Sequence, residues 1–446
     1  MADSHEALVA ELISRWPEHR IAPSTARVEA LLDLLGDPHR AVPVIHVAGT
    51  NGKGSTAVMI DALLRSAGLR TGRFSSPHLV HLTERICIDG EPISEERFDS
   101  LYAEIAPYLA MVDERQLDGV NLTFFEAMTC LAYAAFADAP VDVAIMEVGL
   151  GGTWDATNVA DAEVAVVCPI GFDHTHILGD SLAEIAAEKA GVIKPGSVAV
   201  LAGQPPEAAR VLLARCAEAG AKALREGVEF GLLERQLAVG GQVVRIETAD
   251  GPVGDLFLPL HGEHMARNAG LACAAVEAFL GGKALSGEVL AEGYAAVEAP
   301  ARLELIRRAP AVVLDTAHNP HGVRATMAAM REAYAFSPLV AVVAMMKDKD
   351  AAGVLPIIAE SADHVVVTRV SSTDRAMGID DLAEMAEDYW AEVHRAETIA
   401  DAIETAVGLA DAAGTHGGVL VIGSVIAAGE ARALLAKAED SQDGEA

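Results

Sequence analysis

Cysteine is scarce in this chain of 446 residues. Only Cys87, Cys130, Cys168, Cys216 and Cys273 occur. They are odd in number, widely spaced and free of any C-x-x-C pair, which argues against a disulfide framework and reads as reduced, buried thiols of a cytosolic protein. Basic residues are also few, 33 against 65 acidic ones, for a net charge of −32. Such a surface repels nucleic acid and anionic membranes at long range, so neither is expected as a partner. If the substrates are anions, a local positive site must overcome the global field. No uncharged apolar run is long enough to span a bilayer. The first residues, Met1-Ala2-Asp3-Ser4-His5-Glu6, are polar and acidic and do not read as a signal peptide. Aromatics make up only 4%. What is abundant is aliphatic: 51% of residues are hydrophobic, as suits an alanine- and valine-rich α/β protein, and the length suggests two domains.

The apolar pattern predicts helices over 5–16 and 24–35, and then a βαβ rhythm. Strands are expected at 43–48, 70–74, 141–148, 163–169 and 197–202, with helices at 55–66, 94–110, 123–137, 181–190 and 206–219. The continuous apolar runs are those of buried parallel strands. Residues 227–258 alternate in short pieces between Gly-Gly and Asp-Gly turns and predict an antiparallel patch. Helices at 264–280 and 286–298 close this unit, and Glu298-Ala299-Pro300-Ala301 is the expected hinge. A second βα series follows, with strands at 311–315, 339–344, 364–368 and 419–423. The fold class is therefore α/β: an N-terminal doubly wound, mostly parallel sheet domain (1–298) with a small antiparallel patch, and a smaller Rossmann-like domain (299–436). Residues 437–446 are polar and acidic and expected to fray.

The most informative stretch is Val44-Ile45-His46-Val47-Ala48-Gly49-Thr50-Asn51-Gly52-Lys53-Gly54-Ser55. A β-branched run ends in a glycine turn, and a lysine, a hydroxyl and a helical pattern follow. Glycines let the backbone approach an anion, N–H groups point at it, and Lys53 adds charge. The spacing departs from the usual G-x-x-x-x-G-K-[ST] pattern: Val47 stands at the first glycine, and Gly54 separates Lys53 from Ser55. Other polar residues follow strands. Ser76 lies in a Ser-Pro turn, a pattern that serves structure as readily as it serves a metal. Glu147 ends an apolar strand before a glycine cluster, the position where Mg²⁺ is commonly held. His174 follows strand 163–169, on the same rim if the sheet is parallel. Asp315 and His318 end the first strand of the second domain, and Arg302, just past the hinge, can reach a phosphate. Lys189, by position alone, is a lysine near a helix C-terminus, where positive charge is favourable.

Taken together, the segments G-T-N-G-K-G-S, S-S-P-H-L, L-T-F-F-E, E-V-G-L-G-G, D-A-T-N, D-H-T, E-K-A-G, A-R-L-E, D-T-A-H-N-P and D-K-D resemble, in order, those of the folylpolyglutamate synthase and dihydrofolate synthase family, Mur-ligase-like ATP-dependent amide ligases. The likeness runs from about residue 20 to 435. It implies that Thr50, Asn51, Gly52, Lys53, Gly54 and Ser55 hold the ATP phosphates, with Asn268, Arg302 and Asp315 as further ATP contacts and His318 beside them. It implies Mg²⁺, two ions in the family pattern, on Ser76, Glu147 and His174, and a carbamylated lysine at Lys189, which replaces the positional reading of that residue. Lys53, Lys189, Asp315 and His318 are the implied catalytic set. Thr123, Phe124, Phe125, Glu126, Gly152, Thr153, Trp154, Asp155 and Ala156 fall in the pteroate-binding neighbourhood, approached by Ala22, Pro23 and Ser24. The chain departs from the family at Met265 (usually glutamine), Ala301 (usually glycine), Thr153 (often arginine) and Ile422 (often threonine).

The implied activity is ATP-dependent addition of L-glutamate to dihydropteroate and to reduced folates by a cytoplasmic monomer, through an acyl phosphate. Alternatives are folylpolyglutamate synthesis alone, a Mur-type peptidoglycan-precursor ligase, and a P-loop NTPase switch. The altered loop spacing and the second domain argue against the switch. The L-T-F-F-E and D-A-T-N segments favour folate over a nucleotide-sugar peptide.

Overall fold

The computed structural model describes residues 4–15, 22–412, 414 and 416–443, with side chains up to residue 436. Two large sheets organise it. The first has eight strands in the spatial order Glu91–Pro92, Ile86–Ile88, Thr71–Phe74, Val143–Glu147, Val44–Ala48, Val164–Val167, Val198–Leu201 and Lys222–Arg225. All neighbours pair in parallel except the first three strands, which form antiparallel pairs. Alternation along the strands sorts side chains to two faces. Ile45, Val47, Ile145 and Val166 meet the helices Lys53–Ser66 and Glu263–Phe279. Val44, Ala144 and Met146 meet the helices Glu95–Glu114 and Phe124–Asp138. Apolar residues on both faces explain the continuous runs in the sequence.

The segments Gly231–Ala238, Gly241–Thr248 and Gly251–Leu258 form the expected antiparallel patch, a three-stranded meander. The second large sheet has six strands in the order Arg302–Arg308, Ala311–Asp315, Gly418–Ile422, Leu339–Val343, His364–Val367 and Val393–Arg395. Only the first pair is antiparallel.

Five strands were not anticipated: Ile86–Ile88, Glu91–Pro92, Lys222–Arg225, Arg302–Arg308 and Val393–Arg395. Each is short or charged and lies towards a sheet edge, where one buried face is enough and no long apolar run is needed. The phosphate-loop helix begins at Lys53, two residues before the expected start. The first helix, expected over 5–16, is His5–Ser14, and residue 16 lies outside the described residues. The last helix, Val425–Asp443, continues into the stretch expected to fray, and residues 444–446 lie outside the described residues.

Ala301, where the family pattern has glycine, is buried with φ +53°. A Cβ in this left-handed region costs about 1–2 kcal/mol. Its amide donates to Glu304 Oε2 at 2.8 Å, which holds the chain in this turn into strand Arg302–Arg308. Ala301→Val is expected to lower stability by about 2 kcal/mol or more, whereas Ala301→Gly stays within about 1 kcal/mol of the parent. Urea titration of both variants checks this, and equal losses would remove the strain argument.

Candidate active site

Parallel pairing places the C-terminal ends of Val44–Ala48, Val143–Glu147 and Val164–Val167 on one rim. The first leads into the phosphate loop. Gly49 has φ +141°, and a Cβ there would lie 2.6 Å from Cys168 Cβ. Gly52, at φ +89°, precedes helix Lys53–Ser66, and a Cβ there would lie 3.0 Å from Asn268 Nδ2. Glycine is therefore required at both places. The amides of Thr50 and Asn51 donate to Pro169 O (3.0 and 3.3 Å), and the Thr50 hydroxyl donates to Gly171 O at 3.1 Å. Lys53 folds back over the loop, its Nζ donating to Gly49 O at 3.2 Å and Thr50 O at 3.4 Å. Lys53, Gly54 and Ser55 form the first helical turn, whose N–H groups have no acceptor within the helix and suit an anion.

Glu147 is buried beside this turn. A Cβ on Gly54 would lie 3.6 Å from both its carboxylate oxygens and 3.7 Å from Arg302 Nη2, so acid and arginine flank the loop. The Ser76 amide donates to Glu147 Oε2 at 3.3 Å, which brings the expected Ser76–Glu147 pair together. Burial raises the Glu147 pKa, against the opposing pull of Lys53, the Ser76 amide and Arg302. Lys189, at the end of helix Leu182–Lys189, is also buried. Burial and then the Lys53 charge lower its pKa to about 7. The buried Cys168 thiol is pushed up to about 11, mainly by burial, and Lys53, Glu147 and Lys189 all act on it.

Among the described residues, no group of three or more His, Cys, Asp or Glu side chains is placed to hold a metal ion. Mg²⁺ is commonly held by one or two carboxylates with phosphate oxygens and water. Glu147, with a single hydrogen bond from Ser76, fits that donor role. His174 is engaged otherwise: its Nε2 lies 3.1 Å from Lys349 Nζ. Burial, followed by Lys349, brings its pKa to about 4.

The second sheet faces the loop with its own strand ends. Asn51 and Asn319 exchange amide hydrogen bonds (3.2 and 3.0 Å), and Asn51 Nδ2 lies 2.8 Å from His321 Nδ1. Asp173 accepts from Asn319 Nδ2 (3.0 Å) and Lys349 Nζ (2.7 Å) and lies 3.4 Å from His318 Nε2. Burial opposes its ionisation, yet His318 and Lys349 hold its carboxyl far below the usual range. His318 Nδ1 is 2.9 Å from Thr316 O. Asp315, expected in the catalytic set, ends the strand that pairs with the one carrying Arg302. Its buried oxygens accept from the amides of Leu303 (3.1 Å) and Ala317 (2.8 Å) and the Thr326 hydroxyl (2.9 Å), so it supports the strand carrying Arg302.

The expected pteroate neighbourhood divides in two. Thr123 and Glu126 form a capping box on helix Phe124–Asp138, and Glu126 also takes hydrogen bonds from buried Arg27, the shortest 2.8 Å. Arg27 further donates to Ala22 O (2.6 Å), and Ser24 Oγ donates to Asp118 (2.6 Å). Asp155 accepts from the amides of Leu150 (2.9 Å) and Thr157 (3.0 Å). Phe124 and Ala156 are buried, and Phe124 lies under the Arg85 guanidinium at 5.0 Å. The Gly152 Cα is so close to Glu188 O that a Cβ would lie 2.6 Å from it, and Thr153 Oγ1 donates to the same carbonyl at 3.0 Å. Thr123, Glu126 and Asp155 thus make hydrogen bonds that organise these loops. The half-buried Phe125 and Trp154, with the exposed Pro23, retain surface for a ligand.

Arg27, Asp173, Asn319, His321 and Lys349 were missed in the sequence. Asp173, Asn319 and Lys349 lie in the D-H-T, D-T-A-H-N-P and D-K-D segments, which offered the signal. Nothing marks Arg27 or His321. Removing one partner of a buried ion pair costs about 3–5 kcal/mol, so Glu126→Ala should lower stability by about that amount, as read by thermal or urea denaturation. An unchanged midpoint would show that the Arg27–Glu126 pair does not hold the fold.

Two family models cover this architecture: the Mur ligase middle domain over residues 47–276 and the Mur ligase glutamate ligase domain over residues 301–425. Fold and site thus define an ATP-dependent amide ligase. A dihydrofolate synthase/folylpolyglutamate synthase of Mycobacterium tuberculosis is 46% identical, with 96% of this chain and 93% of that protein covered. A solved Mycobacterium tuberculosis folylpolyglutamate synthase complexed with ADP superposes with TM-score 0.93 at 45% identity, over 97% of this chain and 98% of the other. An FPGS–AMPPCP–folate complex superposes at 0.84 with 31% identity, over 97% and 100%. The chain belongs to the dihydrofolate synthase/folylpolyglutamate synthase family of Mur ligases.

Proposed function

We propose that this ligase adds L-glutamate to dihydropteroate and to reduced folates, with ATP cleaved to ADP and phosphate. The observation that carries this reading is the likeness to dihydrofolate synthase/folylpolyglutamate synthase over both domains, with the phosphate loop retained. Amide formation from a carboxylate is uphill in water, so the carboxylate is first activated as an acyl phosphate. Its oxygen attacks the γ-phosphorus, the bond to ADP breaks, and the glutamate nitrogen then displaces phosphate. The first step brings anion to anion. Lys53 and Arg302 lower that repulsion beside the first turn of the helix. Glu147, with Ser76 next to it, would hold Mg²⁺, which neutralises phosphate charge. Asn268 packs over Gly52 and borders the nucleotide, and Asp315 keeps Arg302 in position. Phe125 and Trp154 offer ring surfaces to the pterin.

Lys189 is the carbamate position in this reading. An amine reacts with carbon dioxide only when neutral, and a lysine titrating near 7 supplies a large neutral fraction. A second Mg²⁺ at His174 would require Lys349 to leave the histidine nitrogen. Both halves of the cleft come from one chain, which supports a monomer. Five buried cysteines without disulfides support a cytoplasmic setting. No helix among the described residues is long and apolar enough to cross a membrane.

Dihydropteroate and a reduced monoglutamate folate, each supplied separately with ATP, Mg²⁺ and glutamate, should both yield a product heavier by one glutamyl residue. Product from the reduced folate alone would restrict the enzyme to folylpolyglutamate synthesis, and product from neither would overturn the reading. Lys53→Ala and Glu147→Ala should retain the fold by circular dichroism and lose nearly all turnover. Lys189→Ala should lose activity and regain part of it with added short carboxylates. Full activity without rescue would exclude the carbamate.

A further inference from the structure

Asp173 stands on the loop after Val164–Val167, yet all its long-range partners come from the other sheet. His318 and Asn319 follow strand Ala311–Asp315, and Lys349 follows strand Leu339–Val343. One carboxylate therefore gathers two loops of the C-terminal unit onto the rim that carries the phosphate loop. The Asp173 and Lys349 side chains are only 11% and 10% exposed. Lys349 also contacts His174 Nε2, so the ammonium bridges two consecutive residues of the rim. Beside it, Asn51 of the phosphate loop is tied to Asn319 and His321. These contacts are polar, so they can open and re-form without exposing core, as expected of a joint between moving domains.

Resting on the ligase reading of this cleft, we propose that Asp173 is a positioning residue: with Lys349 as its main partner, it latches the two domains together so that glutamate, and not water, captures the acyl phosphate. The step at risk is well defined. With the latch open, water attacks the activated carbonyl, the bond to the phosphate oxygen breaks, and carboxylate and inorganic phosphate are released. ATP has then been used with no amide formed. Asp173 touches no reacting atom in this role. It acts through the loops it holds.

The test compares the full-length parent with Asp173→Asn, Lys349→Met, the double variant and Lys349→Arg. ADP and glutamylated product are counted in one reaction containing ATP, Mg²⁺, glutamate and the accepted pterin or folate substrate. The parent should release one ADP per amide. Asp173→Asn and Lys349→Met should each raise that ratio at least threefold, the double variant should be no worse than the poorer single one, and Lys349→Arg should return to within twofold of the parent. Melting temperatures close to the parent's would separate this from general unfolding. Small-angle scattering without substrate provides a second readout, in which both single variants should have a larger radius of gyration. A ratio near one in both single variants, effects that multiply in the double variant, or unchanged scattering would overturn the latch. A parent that forms no amide from either acceptor would instead overturn the substrate reading, and scattering would still decide the latch.

Discussion

The site depends on the main-chain ladder that seats Val44–Ala48 between Val143–Glu147 and Val164–Val167. Parallel pairing forces the three strands to end on one edge. Their next residues are the phosphate loop, Glu147 with its glycine cluster, and the loop bearing Asp173 and His174. A carboxylate, a lysine and an imidazole far apart in sequence thus come to one edge of the sheet. The apolar faces on either side of the sheet supply the stability and leave the rim polar.

The rim concentrates positive charge in a chain whose net charge is −32. Lys53, Arg302, Lys189 and Lys349 converge on a region where Glu147 and Asp315 are buried, Asp173 is half-buried, and each of the three is engaged by hydrogen bonds. Burial is what makes these charges effective, because solvent screens them less there. It also has a chemical consequence at Lys189, whose amine titrates near 7.

Much of the fold was legible because buried parallel strands announce themselves as continuous apolar runs, and the glycine-rich turn between strand and helix has few other uses. Edge strands such as Arg302–Arg308 were not legible, since one partner and one buried face leave only a weak alternation among arginines. The family pattern points to Thr123, Glu126, Asp155 and Asp315, but a pattern does not give the hydrogen bonds that each of them makes. In this structure Glu126 pairs with Arg27, and Asp315 accepts from the Leu303 and Ala317 amides. Arg27 itself was invisible: an arginine on a helix reads as solvated until the tertiary fold encloses it.

The sequence by itself determined the central parallel strands with their helices, the phosphate loop and the membership of a ligase family, because each of these rests on local patterns of residue type. Only the tertiary structure decided which partners the polar residues engage, and that Asp173 joins Lys349, His318 and Asn319 across the two sheets. Those partners are separated by 145 to 176 positions in the chain. No local rule relates them, and only the folded backbone sets their distance.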